Sequence, residues 1–376
     1  MPGEATNISI TALGMATALG PSMADSCAAF RAGVRRVSEI GTVGPEEDAA
    51  LGEEPIAACR AAYLAEGYCA GAKTVLLGKI ALSDLLQRRP LTAGELARTG
   101  LALHLSDCFL LDAVAESAED EEDALPSSRW RDECASLVPR MLADCGLSIR
   151  SEDRHLSFGG HAGFVGALHN AAGMVEDGRL DRCLVGAVDS CLDPEFLLAA
   201  AVKGLLKTPA NPTGFVPGES AAFALVERTA DVRRASARLL VSFACGPLVP
   251  GAFDRFSENP PDGTVLARAI RDLLATQPRR LKVGLVIGDL NGDEYRARNW
   301  GSALVRLRNY GGVADAPLWI PALGFGETGS ASGAVGLCLA ARGMERGYIS
   351  QGAAVTWLSD DSGAGAAVMI MSGKGA

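Results

Sequence analysis

Gly214-Phe215-Val216-Pro217-Gly218-Glu219-Ser220-Ala221-Ala222 lies between a run of turn-forming residues at 209–214 and an apolar run of strand length at 221–226. Working back from it, 194–206 reads as a helix and 183–188 as a strand. Before them, the spacing of Phe164, Leu168, Ala171 and Val175 predicts a helix that stops at Asp177-Gly178. Earlier still, 8–13 reads as a strand closed by Gly14, followed by a helix through Phe30 and Val34. Residues 56–88 read as largely helical, 100–105 as a short strand and 130–142 as a helix. Working forward, the pattern continues with a strand at 238–243, a helix at 265–274, a strand at 282–287, a polar loop, a short strand at 318–320, a helix from Gly333 to Arg342, and strands at 354–358 and 366–371. Strands that alternate with helices predict an α/β protein whose sheets are covered on both faces.

Length and composition fit that class. At about 150 residues per domain, 376 residues make two or three units, or one large two-part fold with ample core. Hydrophobic residues are 48%, charged residues 21%, and 44 glycines allow close approach of elements, which excludes a disordered chain or a small scaffold. A net charge of −10 argues against nucleic acid as a partner, because phosphate binding needs clustered Lys and Arg. Six acids within 116–123 read as a solvated loop rather than a partner-binding patch, since like charges repel and stay in water. Ten cysteines (27, 59, 69, 108, 134, 145, 183, 191, 245 and 338) form no C-x-x-C pair, and several lie in apolar stretches, so they read as reduced. The N-terminal stretch carries an acid where a signal peptide needs positive charge, and no apolar run reaches the ~18 residues of a membrane span, so a cytosolic location and no membrane partner are expected.

A faint internal repeat is visible. Leu168, Ala171, Ala172 and Gly178 match Leu337, Ala340, Ala341 and Gly347 at a constant offset of 169, and the Ala221-Ala222 strand matches Ala366-Ala367. This hints at a duplicated unit.

The 214–222 stretch resembles the G-F-V-x-G-E-G-A motif of the β-ketoacyl synthases, members of the thiolase superfamily. Gly14-Met15-Ala16-Thr17-Ala18-Leu19-Gly20 is similar to that family's opening G-x-V-T-P-L-G, and Phe30-x-Ala32-Gly33 follows it. The resemblance covers nearly the whole chain and is weakest over 40–150. It implies a thiolase fold: two similar βαβαβ-type halves, here 1–234 (with the acidic loop) and 235–376, in a layered α/β/α/β/α arrangement around a buried helix pair, and a homodimer.

The positions that carry that family's chemistry are all changed. The nucleophilic cysteine stands seventeen residues before the glycine matched by Gly178, and His161 occupies that position. The first histidine loop corresponds to Asp289-Leu290-Asn291-Gly292-Asp293, so its histidine falls on Asn291 or, with the alignment shifted, on Asp289. The second histidine is replaced by Glu327 in Gly326-Glu327-Thr328-Gly329, and the lysine by Ala322. Realignment cannot restore the pair, because the four histidines are His104, His155, His161 and His169. Losing one oxyanion donor costs about 2.7–4 kcal/mol of transition-state stabilisation, and losing the thiolate removes the covalent intermediate. Decarboxylating condensation is therefore not expected.

The altered site admits several readings. His161, oriented by Asp289 or Glu327, serves as a general base in one, making the chain a divergent thioester-using acyltransferase or hydrolase with acyl carrier protein or a CoA thioester as partner. In another, His161, Asp289 and Glu327 ligate a metal, although no His or Cys spacing supports it. Gly324-Phe325-Gly326-Glu327-Thr328-Gly329 matches G-x-G-x-x-G but lacks the βαβ context of a dinucleotide site. Cys145, Cys183 and Cys191 have no His or Asp placed beside them as nucleophiles need. The favoured reading has no cofactor, no metal and no confident catalytic residue; His161, Asp289, Asn291 and Glu327 form a hydrogen-bonded remnant pocket in a protein that acts by binding other proteins. The chain also resembles short thiolase-like proteins of bacterial type VI secretion clusters, and that resemblance implies a cytosolic co-chaperone that binds an effector or its adaptor.

Overall fold

The computed structural model of the chain describes residues 8–41, 55–68, 70–116, 126–234, 241–278, 281–349 and 352–373. Twelve strands are present among them: β1 Ile8–Thr17, β2 Ser38–Ile40, β3 Ile56–Ala58, β4 Thr99–Leu105, β5 Arg154–Phe158, β6 Arg182–Ser190, β7 Glu219–Arg228, β8 Val241–Cys245, β9 Val283–Gly288, β10 Leu318–Trp319, β11 Ala353–Ser359 and β12 Gly365–Ser372. Ten of these run in the order β10-β9-β11-β12-β8-β1-β7-β6-β4-β5, while β2 and β3 pair separately.

The order is the same five-strand pattern written twice. In the first half β5, β4 and β6 are parallel, and β7 and β1 follow antiparallel. In the second half β10, β9 and β11 are parallel, and β12 and β8 follow antiparallel. The halves meet where β1 pairs with β8 over Ser9↔Ser242 and Ile10↔Val241.

Side-chain alternation sorts each strand into two cores. On β7, Ala222, Ala224 and Val226 face the central core, and Ala221, Phe223 and Leu225 face an outer one. On β12, Ala366, Val368 and Ile370 face the same central core, and Ala367 and Met369 a second outer one. Strands buried on both faces have to be apolar throughout, which is why these runs show no polar alternation. The central layer is the helix pair Gly163–Glu176 and Ser332–Glu345, whose apolar residues share that core with strands of both halves. The helices Ala70–Arg88 and Pro126–Asp144 cover the first sheet, and Thr264–Ala275 and Glu294–Leu307 the second. The layered α/β/α/β/α architecture is therefore present. The repeat at offset 169 superposes the two central helices end to end. Each is followed two residues later by a glycine in the left-handed region, Gly178 at φ 74° and Gly347 at φ 73°, a turn that side chains with a Cβ rarely adopt.

Several expectations need correction. β1 does not close at Gly14 but runs on to Thr17, the glycine making room for the covering helix. Residues 56–88 are not one helical stretch: 56–58 form β3, and helices follow at Ala62–Ala65 and Ala70–Arg88. The helix expected to end at Leu206 ends at Val202, ahead of Gly204 at φ 64°. The stretch after Ile287 is not all polar loop, because it contains the helix Glu294–Leu307. The expected division between 234 and 235 abuts residues 235–240, outside the described residues, as are all of the acidic loop but Glu116 and the first part of the strand placed at 238–243. Nine cysteines are described, and all are free. Among the described residues no helix is long and apolar enough to cross a membrane.

A Cβ on Gly14 would stand 2.1 Å from the Ala81 carbonyl oxygen and 2.6 Å from the Leu85 nitrogen, both backbone atoms of the covering helix. Gly14→Ala should therefore destabilise the fold by about 1–3 kcal/mol, as overpacking does. Gly166→Ala, in a helix with nothing within 4 Å of the new methyl, should instead stabilise it by about 0.5–1 kcal/mol. Urea-unfolding midpoints of the two variants, moving in opposite directions, check this.

Candidate functional site

The residues singled out in sequence converge where the chain leaves the carboxyl ends of β5, β6, β9 and β11. His161 immediately precedes Ala162, the N-cap of the first central helix. Asp289 follows β9 directly, and Asp360 and Asp361 follow β11. Glu327 sits in the turn that leads to the second central helix, and the 214–222 motif fixes that turn. Gly218 N–H donates to the Glu327 carbonyl at 2.7 Å, and Glu327 N–H donates to the Val216 carbonyl at 2.7 Å. A Cβ on Gly218 would fall 2.1 Å from the Phe325 carbonyl, so the two backbones approach as closely as glycine permits. The motif's acid, Glu219, is held by Lys73 at 3.0 Å and by the Ala61 N–H at 2.7 Å, and so braces the same loop from behind.

His161 is bonded on both ring nitrogens. Nδ1 lies 2.8 Å from Asp289 Oδ1, and Nε2 lies 3.1 Å from Glu327 Oε1. Asp289 Oδ2 accepts from Arg296 at 2.6 Å and from the Ser359 N–H at 3.0 Å. Glu327 accepts from Asn291 Nδ2 at 2.6 Å and from the Gly329 N–H at 2.8 Å. Both alternatives left open by the sequence alignment are thus used, Asp289 on the imidazole and Asn291 on the second carboxylate. Arg296 also reaches Asp361 at 3.1 Å and the Ser359 carbonyl, and Arg255 pairs with Asp293 at 2.8 Å and Asp361 at 3.0 Å.

Electrostatics decide the state of the imidazole. Burial and the guanidinium of Arg296, 3.1 Å from Nε2, push its pKa down; the carboxylates of Asp289 and Glu327 outweigh both and hold it well above the usual 6.5. Burial pushes Glu327 up, but His161, Arg296 and Asn291 together hold it far below the ordinary carboxylate range. The balance favours the protonated ring, and both nitrogens are occupied, Nδ1 by Asp289 and Nε2 by Glu327 and Arg296, the latter two each at 3.1 Å. A general base needs a free lone pair within reach of the proton it takes, and this ring offers none. A helix start disfavours an imidazolium, and here two carboxylates at contact distance oppose that effect.

The other chemical readings fare as follows. The two carboxylates address opposite ring nitrogens and so do not share a vertex with the imidazole for one ion, and among the described residues no group of three His, Cys, Asp or Glu could hold a metal. The G-x-G-x-x-G run begins inside the short helix Ala322–Phe325 rather than after a strand, and its glycines accommodate Phe30, Pro217 and Asp189. Burial pushes Cys183 up to about 12, Cys145 upward and Cys191 well above its ordinary value, so none is a thiolate at neutral pH. Ala322 does not line the main cavity. His104, bonded to the Gly160 carbonyl at 2.8 Å and Ser157 Oγ at 3.0 Å, supports the loop that carries His161, and burial lowers its pKa to about 4. His155 lies on the edge strand β5, and His169 is exposed on the central helix.

A cavity of about 510 Å³ opens onto this cluster, with His161, Asn291 and Glu327 in its floor and Phe109, Trp130, Phe196 and Phe215 in its walls. Arg296, Arg255 and Asp361 were missed in sequence. A signal for Arg296 existed: Asp293 caps the overlooked helix by accepting from the Arg296 N–H at 2.9 Å, and Trp300, Ala303 and Leu307 follow at helical spacing.

No protein-family model matches the chain, and no curated protein matches it. Solved structures do. The ketosynthase of a type II PKS, solved with its acyl-carrier protein and bound to the hexaketide, matches with a TM-score of 0.75 at 17% identity, over 97% of this chain and 98% of that one. An oxazolomycin ketosynthase domain from Streptomyces albus matches at 0.74 and 16%, over 97% and 74%. The ishigamide ketosynthase/chain length factor matches at 0.71 and 15%, over 97% and 98%. At these identities the likeness is one of fold, and the fold is thiolase-like, of the ketosynthase kind.

Nitrogen-15 NMR of the imidazoles at pH 7.5 should show His161 doubly protonated and His104 neutral. Asp289→Asn removes one of the two anions and should move the His161 titration to lower pH. A neutral His161 signal at pH 7.5 in the unaltered protein would contradict the clamp.

Proposed function

We propose that this protein has the ketosynthase fold without condensing chemistry and acts by binding a protein partner. One observation carries the reading: at the position where the resemblance places a nucleophilic cysteine stands a histidine whose two ring nitrogens lie against buried carboxylates, at 2.8 and 3.1 Å. A thioester carbonyl approaching that point finds neither a nucleophile nor a free base, and the two acids beside it repel developing negative charge. The fold itself is compatible with protein docking, since a ketosynthase of this fold has been solved in complex with an acyl-carrier protein. The partner class follows from the resemblance to type VI secretion cluster proteins: an effector, or the adaptor that carries it, bound by a cytosolic co-chaperone that pairs with a second copy of itself.

One feature favours a second reading, a divergent acyltransferase or hydrolase. The cavity has not been filled in and still leads to His161, as a site for a pantetheine arm would. Against it stands the protonation state of the ring, which must lose a proton from between two anions before it can act.

Affinity purification of the tagged protein from its own cells, eluted without denaturant, separates the two. Recovery of a secretion effector with its adaptor, together with no acyl-thioester turnover by the purified chain, is the expected result. Recovery of acyl carrier protein without those partners, with turnover that disappears in His161→Ala, would replace the binding reading with the enzymatic one.

A further inference from the structure

We propose that the exposed ledge 31–40 binds an extended acidic segment of a partner protein as a third strand beside β2. The ledge serves the protein-binding reading given above, and its role rests on that reading.

The first observation is an unfinished edge. Residues 31–39 are exposed without a break where the chain leaves the helix Met23–Arg31 and enters β2. Val34 and Val37 stand 40% and 51% exposed there. Arg35, Arg36 and Val37 make no backbone hydrogen bond among the described residues, and β2 is paired on one edge only, with β3. A two-stranded sheet is marginal alone, and its open edge is a template for a further strand.

The second observation is how the arginines are held. The guanidinium of Arg31 lies over the rings of Trp319 and Tyr348, 4.7 and 5.0 Å from their centroids, and that of Arg36 lies over Tyr63 at 5.3 Å. Stacking holds the planar group by its face and leaves its N–H edge free for a carboxylate. Arg31, Arg35 and Arg36 have no ion-pair partner among the described residues.

The acids nearby do not answer these charges. Asp25 accepts from the Ser22 hydroxyl at 2.6 Å, Glu66 pairs with Arg60 at 3.9 Å, and Glu39 is exposed on β2 itself. Among the described residues, three unpaired cations thus stand against one unpaired acid. A membrane or a polynucleotide needs many cations at once, which this ledge does not supply on a chain of net charge −10. A short strand with acids on one side and apolar residues on the other complements both the arginines and the two valines.

Fluorescence anisotropy of a labelled peptide of alternating Glu and Val, titrated with the full chain at low ionic strength, tests this. The acidic peptide should bind, and its counterpart of alternating Lys and Val should not. Arg35→Glu together with Arg36→Glu, both at exposed positions, should weaken binding about tenfold or more, since charge-assisted bonds are lost. The same change of charge in Arg298→Glu with Arg308→Glu, exposed at the helix Glu294–Leu307, should leave it unaltered. Two peptides N-methylated on one or the other set of alternate residues report on strand addition: one should bind as the parent does, the other about tenfold more weakly. Equal binding of the two methylated peptides, binding of the Lys peptide, or indifference to the Arg35 and Arg36 changes overturns the proposal. So does binding that emerges only when Glu46, Glu47, Asp48, Glu53 and Glu54 are changed to amides, because the occupant is then this chain's own segment. In affinity purification, a partner recovered by the unaltered chain and by the Arg35 and Arg36 variant alike overturns this surface and leaves the protein-binding reading standing. Recovery of no partner by either overturns both.

Discussion

The structure depends on one close approach of two backbones. Val216 to Gly218 and Phe325 to Glu327 exchange two hydrogen bonds of 2.7 Å, with Gly218 and Gly326 at the contact where any Cβ would collide with a carbonyl. This ties a loop of the first half to a turn of the second, and it does so one residue from the site. Glu327 projects from that turn toward His161, which arrives from the first half, while Asp289 closes the ring from the second. The imidazolium is therefore a joint product of both halves, and neither half could hold it alone.

A buried network of this kind is a poor source of stability. Taking several charges out of water costs more than their pairing usually returns, and apolar replacements of whole clusters are often neutral or stabilising. What such a network supplies is geometry and a fixed charge state. Asp289 shows how: one carboxylate accepts from His161 on one oxygen and from Arg296 and the Ser359 N–H on the other, so ring, guanidinium and the end of β11 are set by a single group.

Much of the fold is legible in sequence because both sheets bury both faces. Runs such as 221–226 and 366–371 are apolar without interruption, and turn residues punctuate them. The four site residues were legible for a different reason: His161, Asp289, Asn291 and Glu327 occupy motif positions, and no composition or periodicity points to them. What could not be seen follows from the physics of each case. The helix Glu294–Leu307 carries three arginines with Glu294 and Asn299, so its polar residues hide a short apolar stripe, and Arg296 on its buried side looks like any surface arginine. Arg255, Asp360 and Asp361 come from loops with no period at all, and only the folded chain brings them together. Ile56-Ala57-Ala58 reads as helix in sequence but suits either state, and its pairing with β2 is a tertiary decision.

The shared central core also bears on how the chain is made. The inner face of the first sheet and the helix Gly163–Glu176 stay uncovered until residues of the second sheet, 241–372, have left the ribosome, which at ordinary elongation rates takes on the order of ten seconds. During that interval Ala222, Ala224, Val226 and their neighbours present an unfinished apolar surface to the cell. Biosynthesis of this protein is thus a race between completion and misassociation, and its yield should respond to whatever shields nascent chains far more than that of a protein whose first half closes its own core.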